Sequence, residues 1–288
     1  MSARETARAS AIVAAATLLE CRRRRVFLVV PALSVAFLAL YSVGAFYAGH
    51  NMQPGSDGGV DTRTLAGATM LGLAMFATLF MGAVLAVFLT FDTVRGDAEQ
   101  GLLQPLVVRR AGRPAVMLGR LAAAVAVSSS YVAVLYAIAA AVTDAAVSWR
   151  PDDLVLPGVD IAVAVAVVAA VCLLGSVFLS TIANGLAVLM LFGGGLVAGL
   201  LGQIGYALSS HRLQTIGKAT AWALPFEALY QAGLHSLTAG TQGITGVIVH
   251  LGPLGGAQSA GPLLGLWVAA YLVAVVAIAL AAFARRDL

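Results

Sequence analysis

Charge is what this sequence has least of. Only 10% of its 288 residues are Asp, Glu, Lys or Arg, against roughly a quarter in a soluble domain. So little charge cannot clothe a water-borne surface, which excludes an ordinary soluble enzyme or binding module. Lysine occurs once, at Lys218. Cysteine occurs twice, at Cys21 and Cys172, the first on the flank of an apolar run and the second inside one. That placement and the absence of a CxxC exclude a disulfide scaffold and a dithiol redox centre. Catalytic motifs are missing too: there is no HExxH, no GxSxG and no acidic dyad within an apolar run. Gly217–Lys218 is not a phosphate-binding loop, because Arg212 stands where its first glycine belongs and Ala219 where a Ser or Thr is needed. The chain is therefore expected to be non-catalytic. His50, His211, His235 and His250 are scattered without ligand spacing, so they read as interfacial histidines rather than a metal site.

Apolar residues, by contrast, make up 60% of the chain. Six runs are long enough to cross a bilayer, which takes about 20 residues per helix: 26–48, 65–91, 115–142, 160–182, 185–208 and 262–284. None alternates as barrel strands do, so the expected fold is all-α, a polytopic membrane protein with six transmembrane helices. The fourth and fifth runs are separated only at Ala183–Gly185. Gly195/Gly199 and Gly261/Gly265 have the spacing of close helix contacts, and the Gly193–Gly195 triplet permits a kink but suits close packing better.

The basic residues set an orientation. If the N-terminus is inside, Arg4, Arg8, Arg22–Arg25, Arg95, Arg109, Arg110, Arg113, Arg120, Arg285 and Arg286 all fall on the cytoplasmic side. Those are 13 of the 17 Lys and Arg residues. Both termini are then cytoplasmic, and the net charge of +4 is a topology signal. A nucleic-acid partner is not expected, since the arginines flank spans instead of lining a soluble face. The high ratio of arginine to lysine suggests a GC-rich prokaryotic genome, and the expected location is a prokaryotic plasma membrane.

Residues 1–25 read as an amphipathic cytoplasmic-face helix, with Ile12, Val13, Ala16 and Leu19 toward the lipid and the arginines toward anionic headgroups. Residues 26–288 form the membrane domain. Its segment 209–261 is the longest non-spanning stretch and is expected outside. Within it, 223–237 reads as an amphipathic helix begun by Pro225. Phe226, Leu229, Tyr230, Leu234 and Leu237 fall on one face, and Glu227, Gln231 and His235 on another. The spans themselves hold almost no ionisable group. An ion-driven carrier ordinarily needs one near the midplane, so energy is expected from elsewhere. Ser128–Ser130 with Tyr131 is the most polar cluster within the runs and is expected to bond between helices.

The most informative stretch lies between the second and third runs: DTVRGDAEQGLLQPLVVRRAGRPAVMLGR, Asp92–Arg120. Leu102, Leu103, Leu106 and Val107 make it too apolar for a wetted connection, and the charges make it too polar for the bilayer. It reads as a docking element held at the cytoplasmic surface.

Here the chain resembles the permease subunits of type-2 ABC exporters. The resemblance is carried by Glu99, Gly101, Leu103, Leu106, Arg113, Gly119 and Arg120, and by the layout of an N-terminal amphipathic helix, six spans and a large outer segment before the last. It implies a cytoplasmic coupling helix within 92–114. Glu99, Gly101, Leu102, Leu103, Leu106, Arg109, Arg110 and Arg113 would seat it on a separate ABC ATPase. It implies two ATPase copies carrying ATP and Mg, a second permease copy or a paralogue, contact with membrane lipids, and no cofactor on this chain. Two other readings stay open. A permease-like subunit could pass ATPase motion to an extracytoplasmic partner, for example in metalloenzyme maturation, without transporting anything. The chain could also be a membrane-embedded enzyme or scaffold. The substrate-binding residues are not legible.

Overall fold

The computed structural model describes residues 12–15, 26–51, 56–57, 60–91, 113–238, 261 and 263–285. Among them the chain is helical, apart from a two-residue antiparallel pairing of β1 (Ser56–Asp57) with β2 (Val60–Asp61). The helices are α1 (Val26–Asn51), α2 (Thr62–Thr90), α3 (Arg113–Val147), α4 (Val155–Phe178), α5 (Thr181–Ala207), α6 (His211–Ala223), α7 (Pro225–Thr238) and α8 (Leu264–Ala284). Six of these, α1 to α5 and α8, are long and apolar enough to cross a membrane. The protein is a multi-pass membrane protein. With six crossings, the start of α1 and the end of α8 lie on one side, called here the near side, and the end of α5 and the start of α8 lie on the other, the far side. Of the expected N-terminal helix, only the helical turn at 12–15 falls within the described residues.

The spans differ in how much they bury. In α2 and α4, 61% of the most apolar window is buried, against 22% to 28% in the other four. Those two are the centre of the bundle, and the rest form a ring whose outward apolar side chains (Leu40, Ile182, Met190, Val273 among them) stay exposed to lipid. Lipid is as apolar as the core, so tight packing rather than water exclusion holds such helices together. Gly82 illustrates this: a β-carbon there would collide with Val132 of α3 and crowd Val165 of α4 at 2.9 Å. Hydroxyl groups add specific ties. Ser34 and Tyr41 of α1 bond Tyr131 and Thr143 of α3, and Ser129 Oγ donates to the Ala162 carbonyl of α4 at 3.0 Å. Of the serine–tyrosine cluster, Ser129 and Tyr131 thus bond between helices, as expected from the sequence, whereas the Ser128 hydroxyl donates to the Ala124 carbonyl within α3.

Helix ends follow local chemistry. Asp61 caps α2, its carboxylate accepting from the Arg63 N–H at 3.1 Å and the Thr64 hydroxyl at 2.6 Å. Asp153 accepts from the backbone N–H groups of Val155 and Leu156 as α4 begins.

One boundary departs from expectation. The break between the fourth and fifth spans is at Leu179–Ser180, and Ala183–Gly185 lies inside α5. Leu179 is extended and ends α4, while the Asn184 N–H bonds the Ser180 carbonyl at 2.8 Å and starts α5. Gly185 is small for proximity instead: Phe91 and Val87 of α2 lie 3.4 and 3.8 Å from where its β-carbon would be. The wholly buried Asn184 side chain donates from Nδ2 to the carbonyls of Cys172, at 2.9 Å, and Phe91, at 3.3 Å. One amide therefore joins the near-side ends of α2, α4 and α5.

Candidate functional site

The segment 92–112, with Glu99, Gly101, Leu102, Leu103, Leu106, Arg109 and Arg110, lies outside the described residues. Arg113 is the first residue of α3. The described site is elsewhere, at the far-side end of α5.

There the chain turns back on itself. Beyond α5, α6 runs down alongside it in the opposite direction. Gly205 faces Leu213, Gly202 faces Gly217, and Gly195 reaches Leu224 and Phe226. The chain then reverses at Leu224–Pro225, and α7 climbs back, with Phe226 against Gly195, Glu227 against Gly199 and Gln231 bonded to Gln203. From Gly205 to Gly195 is a drop of about 15 Å, roughly half the hydrocarbon thickness. The pair α6–α7 is a re-entrant helical hairpin entering from the far side. Irregular backbone at such depth needs protein around it, and Pro225, Phe226 and Glu227 at the tip are all buried.

Glycine makes this approach possible. A β-carbon on Gly217 would sit 2.7 Å from the Gly202 Cα, and one on Gly205 would sit 2.6 Å from the Leu213 Cβ. The sequence pair Gly195/Gly199 does mediate close contact, but with the hairpin rather than another span. Gly193 and Gly194, and likewise Gly261 and Gly265, have nothing within 4 Å of their β-positions. The close packing expected of them is absent among the described residues.

Helix α7 matches its sequence reading on the apolar face: Phe226, Leu229, Tyr230, Leu234 and Leu237 are all buried. Its other face corrects that reading. Glu227 does not meet water; it is 2% exposed, with its carboxylate against Gly199. Gln231 Nε2 donates to Glu227 Oε1 at 2.9 Å, and Gln203 Nε2 of α5 donates to Gln231 Oε1 at 2.8 Å. Burial disfavours the charged form of the Glu227 carboxyl, against the smaller, opposite effect of the Gln231 bond. Its place in the first turn of α7 puts it where a helix favours negative charge. The six spans lack a midplane acid, as expected, but the hairpin tip carries one to that depth.

These residues enclose a cavity of about 620 Å³ between α5, α6, α7 and α8. Glu227, Gln203 and Gln231 form its polar wall. Trp222 of α6 and Trp267 of α8 form an aromatic corner, ring centroids 5.1 Å apart in an edge-to-face arrangement. Leu263 and Leu266 line the mouth, and both are about 70% exposed, at 69% and 70%. Trp267 Nε1 is buried with no hydrogen-bond partner among the described residues. Among the lining residues Glu227 and Lys218 are the titratable ones. Gly217 and Lys218 thus lie within a helix, whereas a phosphate-binding lysine follows a glycine-rich loop. No group of three potential metal ligands exists among the described residues.

No part of this cavity was legible in the sequence. The available signals were Gln203 in an apolar run and the Glu227/Gln231 pair one helical turn apart beside Pro225. No family model matches the chain, and no curated protein matches it significantly.

Proposed function

We propose that this chain is the membrane-spanning permease subunit of an ATP-driven transporter of the ABC exporter type. The observation that carries this reading is the Glu99–Arg120 island between the second and third spans. The reading gives ATP, Mg and hydrolysis to two copies of a separate ATPase, and it adds a second permease copy or paralogue. It places both termini in the cytoplasm of a prokaryotic cell. Two features of the bundle support it. The island joins α2, one of the two central spans, to α3, which packs along it. Asn184 binds the Phe91 carbonyl where α2 ends and the island begins. A push on the island would therefore reach three spans at once.

The test is affinity purification in mild detergent, with wild type compared with the Leu103→Asp/Leu106→Asp double variant. The expected result is an ATPase that co-purifies with the wild type and is lost from the variant. A folded wild-type chain that brings down no ATPase would sink the reading.

Glu227 favours a second reading, a carrier driven by an ion gradient. A carboxyl buried at mid-depth beside a cavity is the feature such carriers use. Uptake or efflux driven by a pH gradient in vesicles holding this chain alone would support it over the first.

A further inference from the structure

We infer that the cavity between α5, α8 and the re-entrant hairpin is a binding site for an amphiphilic organic cation entering from the far half of the membrane. This deepens the transport reading by giving a ligand class, but binding itself requires no ATPase.

Four observations combine. The cavity volume, about 620 Å³, lies in the range of sites for drug-sized ligands. Its wall is mainly apolar and aromatic, and Trp222 and Trp267 line it with indole rings, the side chains that attract a cation best. Its polar end is a nine-tenths buried carboxylate, oriented by the Gln203–Gln231 amide chain. A carboxylate held so deep gains more from a counter-charge than a wetted one does, because the local dielectric is low. The fourth observation is the buried Trp267 indole N–H, which has no partner among the described residues and suits a hydrogen-bond acceptor on the same ligand. Lys218 also lines the cavity, but it is exposed where Glu227 is buried, so the acid sets the sign of the deep end. The exposed leucines at the mouth point to entry from lipid.

A free lipophilic cation and a lipid with an ammonium headgroup share this chemistry. The experiment uses the full-length chain in a non-ionic detergent and reads tryptophan fluorescence. Two of the chain's three tryptophans line the cavity. Tetraphenylphosphonium is titrated against tetraphenylborate, an anion of the same shape. The expected result is saturable quenching by the cation alone, weakened at least tenfold in Glu227→Gln. Equal affinity in wild type and variant, or binding of the anion as tight as that of the cation, overturns the proposal.

Wild type gives an independent check should the variant fold poorly. Cation affinity is expected to fall as the pH is lowered from 8 to 5.5; invariant affinity overturns the proposal. In a folded Glu227→Gln that dependence is lost, which separates Glu227 from His235 on the same helix and from Asp160 of α4, which packs beside Gly233 of α7. Displacement of the probe by phosphatidylethanolamine, with no displacement by phosphatidylglycerol, supports the site with a lipid ammonium as occupant. Failure of both to displace it supports the site with a free organic cation. ATPase co-purification is a separate measurement, so either reading can fail alone.

Discussion

Gly202 of α5 and Gly217 of α6 meet backbone to backbone: a β-carbon on Gly217 would lie 2.7 Å from the Gly202 Cα. No side chain stands between the two helices at that point. The contact yields only if the hairpin moves. Gly217→Ala is expected to cost about 1–3 kcal/mol, the usual penalty of overpacking, read as a lower unfolding temperature in detergent. Gly193→Ala and Gly194→Ala, with open space at both β-positions, are the controls. They should be neutral or stabilising by up to about 1 kcal/mol, since alanine is the better helix former.

Glu227 should make stability depend on pH in an unusual direction. Its carboxyl is 2% exposed, and taking a carboxyl out of water disfavours its charged form. The folded chain therefore keeps its proton to a higher pH than the unfolded chain does, so stability falls as pH rises above the ordinary carboxylate range. Glu227→Gln keeps an oxygen for the Gln231 bond and removes the charge. It should therefore unfold at a higher temperature than wild type at pH 8 and at a similar temperature at pH 4.5.

Asp61 should behave in the opposite sense. Its hydrogen bond to the Thr64 hydroxyl, helped by the backbone N–H groups of Thr64 and Arg63, holds its carboxyl below the ordinary value. The stability it gives is present above the ordinary carboxylate range and lost as pH falls through the lowered value. Asp61→Ala removes the cap of α2 and should cost about 1 kcal/mol at neutral pH, measured by thermal unfolding.

Asn184→Ala should cost more than its size suggests. It removes the Asn184 bonds to the Cys172 and Phe91 carbonyls, each worth about 0.5–1.5 kcal/mol, and opens a gap at a wholly buried position. Ser42→Ala, which removes only a half-buried bond to the Leu38 carbonyl within α1, is the comparison and should change little.

The six spans and α7 were legible because they announce themselves by length and period. Runs of more than 20 apolar residues leave no other fold, and Phe226, Leu229, Tyr230, Leu234 and Leu237 occur at helical spacing and are all buried. Helix α6 was not legible. His211, Arg212 and Lys218 make it look like a wetted connection, and it is held to α5 by glycines, whose contribution is a missing side chain. The burial of Glu227 was hidden for the same reason: it depends on Gly199, far away in sequence. Gly185 shows the ambiguity directly, since it reads as a helix break and serves as a seat for Phe91. The coupling residues expected at 99–110 lie outside the described part of the chain.

The re-entrant hairpin also gives the two leaflets unequal work. Six described helices pass through the near half of the membrane, whereas α6 and α7 add two more to the far half. At a helix diameter of 10–12 Å, those two displace roughly 200 Å² of lipid from one monolayer only. Among the described helices the far half is therefore the more crowded one, so lateral pressure in that monolayer bears on the hairpin and on its glycine contacts with α5.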